Sequence, residues 1–318
     1  MMRILFMGTP DFALFYLRAL VESGENVIGV VTQPDKPKGR GYTLTPPPVK
    51  VYAMEKGLPV YQPNTLRGDD FAALLASLDP ELIVVVAYGK LLPANVLEYP
   101  KYGCINVHGS LLPEYRGAAP IQRAIMDGES ETGVTAMYMA EGLDTGDMIL
   151  CERIDITDTD NFGTVHDKLC EAGGKALCRV AEILASGEPL PREVQDDSLS
   201  NYAAKITAED YTADFTEDAS VVSRKIRGLS PVPLYRCKLP DGKGLKLVSA
   251  VVSDANVPEN TAPGTVISLS DKGQGEIVVA CGNGAVSVTE VRPEGKGTMK
   301  AADFVRGRKI TVGDVLIG

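Results

Sequence analysis

Apolar runs that polar residues scarcely interrupt constrain this chain most. Residues 4–7, 27–32 and 82–87 are of that kind, rich in Ile, Val and Leu. A strand wetted on one face alternates apolar with polar residues. One that does not alternate is covered on both faces, as in parallel sheets flanked by helices. Helical patterns lie between these runs. Thr9 is placed to cap a helix with Pro10 at its first position, and Phe12, Phe15, Tyr16, Ala19 and Leu20 fall on one face of it. An exposed polar loop over 33–45 precedes a helix through 49–56. Residues 103–108 read as another strand, 118–126 as a helix, 134–139 and 147–156 as an antiparallel addition, and 163–186 as a long closing helix. The expected fold of this half is α/β: a Rossmann-like, doubly wound, mostly parallel sheet.

The pattern dissolves between 186 and 207, where Gly187-Glu188-Pro189, Pro191 and Gln195-Asp196-Asp197-Ser198 have linker composition. Beyond it, 219–228 reads as a helix. From 234 onward short strands recur every ~10 residues, broken by Asp241-Gly242, Ala262-Pro263-Gly264 and Gly282-Asn283-Gly284, a spacing that favours a small β-barrel or sandwich. At 318 residues the chain is long enough for two domains. The expected division is an α/β domain over 1–188, a linker over 189–206 and a β-domain over 207–318.

Charge excludes a protein held to nucleic acid by its whole surface, since the net charge is −10. The imbalance is uneven: residues 1–204 hold 17 basic and 28 acidic side chains, residues 205–318 hold 15 and 14. An RNA partner would have to be met by local patches. The six cysteines form no Cys-x-x-Cys pair, which fits buried thiols in a reducing compartment and no zinc site. The apolar start stops at Gly8 without a cleavage site and reads as a buried strand rather than a signal peptide. The longest plain apolar run, 82–88, is far short of the ~20 residues that span a bilayer. A soluble, cytoplasmic protein is expected.

The densest chemical signal is Asn106-x-His108, followed by Gly109-Ser110. Residues two apart on a strand share a face, and Gly109 ends this strand where open α/β sheets bind ligands. An amide and an imidazole there can both donate to an oxygen gaining negative charge, although the same pair can be polar residues satisfied at a strand end. Glu141-Gly142-Leu143-Asp144-Thr145-Gly146-Asp147 is a loop whose glycines let the backbone bend around Asp144. It is ordinary turn chemistry unless Asp144 folds over His108. In the 33–45 loop, Lys36, Lys38 and Arg40 alternate with Pro and Gly. Their readings are solvated surface or phosphate binding.

Several segments together resemble the methionyl-tRNA formyltransferase family. They are Phe6-Met7-Gly8-Thr9-Pro10-Asp11-Phe12, Gly39-Arg40-Gly41, Val85-Val86-Ala87-Tyr88-Gly89, Ile105-Asn106-Val107-His108-Gly109-Ser110-Leu111-Leu112-Pro113, Tyr115-Arg116-Gly117-Ala118-Ala119-Pro120-Ile121-Gln122 and Gly142-Leu143-Asp144-Thr145-Gly146-Asp147-Met148. The resemblance is strong through about residue 207 and looser afterwards. It implies a formyltransferase fold followed by an OB-like β-barrel that contacts tRNA. The implied reaction moves the formyl group of 10-formyltetrahydrofolate to the free amino group of initiator methionyl-tRNA for translation initiation.

By the same resemblance Asn106, His108 and Asp144 match the catalytic trio, and Ser110, Leu111, Leu112 and Pro113 the folate-contacting segment. Arg40, with Lys36 and Lys38 beside it, lies in the loop that enters the acceptor end of the tRNA. The family implies no metal and no tightly bound cofactor, formyltetrahydrofolate being a co-substrate. A monomer without membrane contact is expected. Two features depart from the family pattern: Tyr42-Thr43-Leu44-Thr45 follows Gly-Arg-Gly where lysines are expected, and Pro231-Val232-Pro233 lacks a Trp between its prolines. The Asn-x-His and Asp-loop motifs are shared with other formyltetrahydrofolate enzymes. The alternatives are therefore a sugar-nucleotide amine formyltransferase or a formyltetrahydrofolate hydrolase. Glycinamide ribonucleotide transformylase fits less well because the residues beyond 207 would lack a purpose. A folate- or RNA-binding protein without catalysis is disfavoured, since all three candidate catalytic positions are filled.

Overall fold

The structure, a computed structural model, describes residues 1–38 and 43–318. The chain forms two compact units. One comprises Met1–Gly117, Gly133–Ile154 and His166–Tyr202, the other Ala118–Thr132, Asp155–Val165 and Ala203–Gly318.

The first unit is built on a seven-stranded sheet. In chain order its strands are β1 (Ile4–Gly8), β2 (Val27–Val31), β3 (Val60–Tyr61), β4 (Leu82–Val86), β5 (Cys104–His108), β6 (Glu131–Tyr138) and β7 (Met148–Asp155). Their order in space is β7-β6-β5-β4-β1-β2-β3. Pairing is parallel from β3 to β5 and antiparallel between β5 and β6. Every residue of β1 and β4 is buried, so both faces are covered, as the unbroken apolar runs require. Strand order reverses between β1 and β4, and the loops after β1, β2 and β4 are tied together there. Thr9 Oγ1 donates to the Tyr88 carbonyl (3.1 Å) and accepts from the Gln33 amide (3.3 Å), while Gln33 Nε2 also reaches the Tyr88 carbonyl (3.1 Å).

Three expectations change. Helix α1 (Asp11–Glu22) begins one residue after Pro10, which is its N-cap, and Thr9 does not cap it because its hydroxyl is spent on those loops. Its buried residues are Ala13, Tyr16, Leu17 and Leu20, whereas Phe15 lies on the rim. The long helix sets this face: Tyr16 Oη donates to the Leu169 carbonyl (3.3 Å), over Gly173, where a Cβ would lie 2.2 Å from that hydroxyl oxygen. The polar loop also has structure, since Lys36–Lys38 and Thr43–Thr45 pair as antiparallel strands. Helices α2 (Pro48–Glu55) and α3 (Asp69–Leu78) precede β4. Among the described residues no helix is long and apolar enough to cross a membrane.

The long helix α5 (Phe162–Ser186) belongs to the first unit from His166 on. In the second unit α4 (Pro120–Asp127) meets α6 (Ala219–Gly228). Gly228 permits the contact, since a Cβ there would lie 2.7 Å from Met126. Strands β8 (Tyr235–Lys238), β9 (Gly244–Ser253), β10 (Val266–Ser270), β11 (Glu276–Ala280) and β12 (Ala285–Pro293) follow in antiparallel order β8-β9-β12-β11-β10. The C-terminal segment pairs with both open edges, through Lys238–Ile317 and Thr265–Val315, and closes a small barrel. Val222, Ile226, Tyr235, Leu247, Val279, Val288 and Phe304 are among its buried core.

Candidate active site

Alternation along β5 puts Asn106 and His108 on one face at the carboxyl end of the strand, opposite Met137 and Thr135 of β6. His108 is 7% exposed. Its Nε2 lies 2.9 Å from the Tyr115 carbonyl, which can only accept, so this nitrogen carries a hydrogen. Nδ1 faces Asp144 Oδ2 at 3.6 Å, longer than a good hydrogen bond. The structure therefore brings His108 and Asp144 together across 36 residues of sequence, an arrangement the spacing alone left open. Among the described residues none hydrogen-bonds the Asn106 amide, which is partly exposed.

Asp144 has a φ of +53°, in the left-handed region that Asp tolerates better than most residues. The same carboxylate oxygen that faces His108 accepts the Gly117 amide hydrogen (2.9 Å). Gly146 allows the turn, since a Cβ there would lie 1.7 Å from the Tyr138 carbonyl oxygen. A carboxylate and an imidazole thus meet, and a side-chain amide with no partner among the described residues lies on the same strand face as the imidazole. Such a set can donate to a developing oxyanion and take up a proton.

The segment after His108 is tightly folded. Ser110 is fully buried and its hydroxyl donates to the Glu114 carbonyl (2.6 Å). Thr135 Oγ1 bridges the Ser110 carbonyl and the Leu112 amide, at 2.7 and 3.1 Å. Leu112 is buried and is joined to Pro113 by a cis peptide; Leu111 and Pro113 are the partly exposed members of the four. The strand carrying Lys36 and Lys38 follows Asp35, which is bound by Lys50 (2.9 Å) and Gln62 (2.9 Å). These hydrogen bonds lower the Asp35 pKa from its ordinary value. Lys36 is exposed, and Arg40 lies outside the described residues.

Three contributors were not legible in the sequence: the Tyr115 carbonyl, Gln195 and Asn201. Gln195 Nε2 donates to the carbonyls of Asp144 (2.9 Å) and Gly146 (2.7 Å), and Asn201 Oδ1 accepts the Tyr115 amide hydrogen. The linker-like stretch is thus bonded into the first unit, where Glu193 also pairs with Met148. Its Pro, Gly and Asp content concealed this. Among the described residues no group of three or more His, Cys, Asp or Glu side chains could hold a metal ion.

Residues 2–181 match the formyl transferase family, and residues 205–309 match the formyl transferase C-terminal domain. A methionyl-tRNA formyltransferase of Bacillus subtilis strain 168 is 47% identical over 317 residues, covering 99% of this chain and 98% of the relative. That of Bacillus velezensis is 48% identical over the same shares of both. Among solved structures, an N-formyltransferase of Helicobacter canadensis in complex with folinic acid and dTDP-3-aminofucose superposes with a TM-score of 0.64. It is 14% identical and is matched over 91% of this chain and 99% of its own; at that identity the likeness is one of fold. Identity near one half from end to end, with both domain matches in order, shows that the chain belongs to the methionyl-tRNA formyltransferase family.

Proposed function

We infer that the chain transfers the formyl group of 10-formyltetrahydrofolate to the free amino group of initiator methionyl-tRNA, giving formylmethionyl-tRNA. The observation that carries this reading is the site of an otherwise family-typical chain. Asn106, with no partner among the described residues, stands beside His108, which is held between Tyr115 and Asp144.

In the proposed reaction the neutral amine attacks the formyl carbon and a C–N bond forms, while the carbonyl oxygen becomes an oxyanion. Asn106 donates to that oxygen. His108 has Nε2–H committed to Tyr115, so a proton on Nδ1 is the one left to donate. The Asp144 carboxylate balances the charge and does not saturate that N–H at 3.6 Å. Collapse of the intermediate breaks the bond from the formyl carbon to the folate nitrogen. The amine loses one proton and the leaving nitrogen gains one, with Asp144 and His108 placed to relay it. Leu111 and Pro113 offer partly exposed contact to folate, whereas Ser110 and Leu112 shape the segment from within.

On the RNA side, Lys36, Lys38 and Arg40 are proposed to meet the acceptor end. The second unit adds support that the sequence did not signal. Arg236, Lys246 and Arg292 stand directly opposite one another on β8, β9 and β12. Among the described residues none of the three is ion-paired. Burial, then Arg236 and Arg292, push the Lys246 pKa below its ordinary value. Like charges in register destabilise a sheet, and a phosphate backbone would relieve them. The division into a catalytic domain over 1–188, a linker over 189–206 and a tRNA-contacting domain over 207–318 belongs to this reading. So do action as a monomer and a cytoplasmic location.

Asn106→Ala tests the site. Loss of one oxyanion donor is expected to lower kcat roughly 100- to 1000-fold, with the KM for formyltetrahydrofolate within about threefold of wild type. Steady-state formylation of methionyl-tRNA reads this, and a variant within a few-fold of wild-type kcat refutes the assignment.

A further inference from the structure

We propose that Gln195 and Asn201 are positioning residues for formyl transfer, holding Asp144 and His108 through the backbone on either side of the reaction centre. The proposal rests on the functional reading above. Gln195 is 8% exposed and its amide is fully used. Both Nε2 hydrogens go to carbonyls of the Asp144 loop, at 2.9 and 2.7 Å. Oε1 accepts from Arg116 Nε (3.0 Å) and from the guanidinium nitrogen (2.7 Å) that also meets Asp197 at 2.8 Å. The network fixes which way the amide points, because exchanging O and N would aim donors at a guanidinium and an acceptor at two carbonyls.

Asn201 serves the other side. Its Oδ1 accepts the amide hydrogen of Tyr115, and its own carbonyl accepts that of Arg116 (3.1 Å). Tyr115, at a φ of +55°, is the residue whose carbonyl takes the His108 Nε2–H. Two residues on, Gly117 donates to Asp144 Oδ2. Residues 115–117 therefore touch both members of the His–Asp pair, and Asn201 and Gln195 hold that strip and the Asp144 loop. Residues 140–143 of the loop are exposed, whereas the Asp144 side chain is only 13% exposed, so the loop is held on its inner side, where Gln195 bonds it. Acid–base and oxyanion chemistry is sensitive to such placement: a misplacement of ~1 Å can lower a rate ~100-fold.

The test uses the full-length enzyme with methionyl-tRNA and 10-formyltetrahydrofolate. Gln195→Glu keeps the acceptors for Arg116 but removes both donors to the Asp144 loop. It is expected to lower kcat roughly 10- to 100-fold, to displace the pH profile of kcat, and to leave the folate KM within about threefold and the melting temperature within a few degrees. Asn201→Asp keeps the acceptor for Tyr115 and should stay within about threefold of wild type, whereas Asn201→Leu should lose ~10-fold or more in kcat. A Gln195→Glu enzyme with wild-type kcat and pH profile overturns the proposal. So do Asp and Leu variants of Asn201 that behave alike, or losses in kcat that merely track a lowered melting temperature. Wild-type enzyme that consumes formyltetrahydrofolate without formylating the tRNA would defeat the functional reading instead. The same variants would then be compared on that turnover.

Discussion

Gly146 has no room for a side chain. A Cβ there would lie 1.7 Å from the Tyr138 carbonyl oxygen and 2.8 Å from its carbon. The chain leaves β6 and doubles back at this point to present Asp144, so the carboxylate's place depends on a residue with no functional group. Gly146→Ala is expected to destabilise the protein by about 2–4 kcal/mol and to reduce turnover more than folate binding. Urea unfolding checks the first part, and an unchanged midpoint contradicts it. At this scale the sequence was informative where side-chain chemistry met a simple period. Asn106 and His108 share a face because they alternate on a strand, and Asp144 stood out between two glycines. The Tyr115 carbonyl was hidden because every residue has one. Gln195 and Asn201 were hidden because their partners lie 51 and 86 residues away. On α1 the apolar stripe points slightly to one side of the buried face. Phe12 and Phe15 rest against the His166 ring at 5.3 and 6.4 Å, while the core lies under Tyr16 and Leu17.

Elements with strong periodicity were legible, and those held by side-chain bonds were not. The buried strands of the first sheet and the helix over Ala219–Gly228 follow from apolar pattern and spacing. The Lys36–Lys38 strand has Pro37 at its centre and an exposed partner, Thr43–Thr45, so no apolar alternation marks it. Helix α3 lies outside the expected elements, and its buried residues are Phe71 and Leu75. In the barrel, strands could be counted from turns, but the register that aligns Arg236, Lys246 and Arg292 is a property of pairing. Lys246→Ala should weaken methionyl-tRNA binding and lower the slope of log K against log salt by about 1, with formyltetrahydrofolate binding unchanged. Filter binding over a salt series measures this. An unaltered slope would remove the row from the RNA interface.

Across the whole molecule, charge is unevenly divided. Residues 1–204, with the Asn106–His108–Asp144 site, carry a net charge of −11, and residues 205–318 a net charge of +1. An acidic chain can approach tRNA when cations are grouped locally, because counterion release depends on the phosphates actually contacted. The division also explains why composition alone pointed away from RNA. The most direct test of the account is single-turnover formyl transfer from 10-formyltetrahydrofolate, offering charged initiator tRNA, charged elongator methionyl-tRNA and an amino-sugar nucleotide in parallel. Formylmethionine should appear on the initiator at least ~100-fold faster than on the elongator, a difference of about 2.7 kcal/mol in activation free energy, and the sugar should remain unmodified. Formyl groups found on the sugar, or released to water while the initiator stays unformylated, would contradict it.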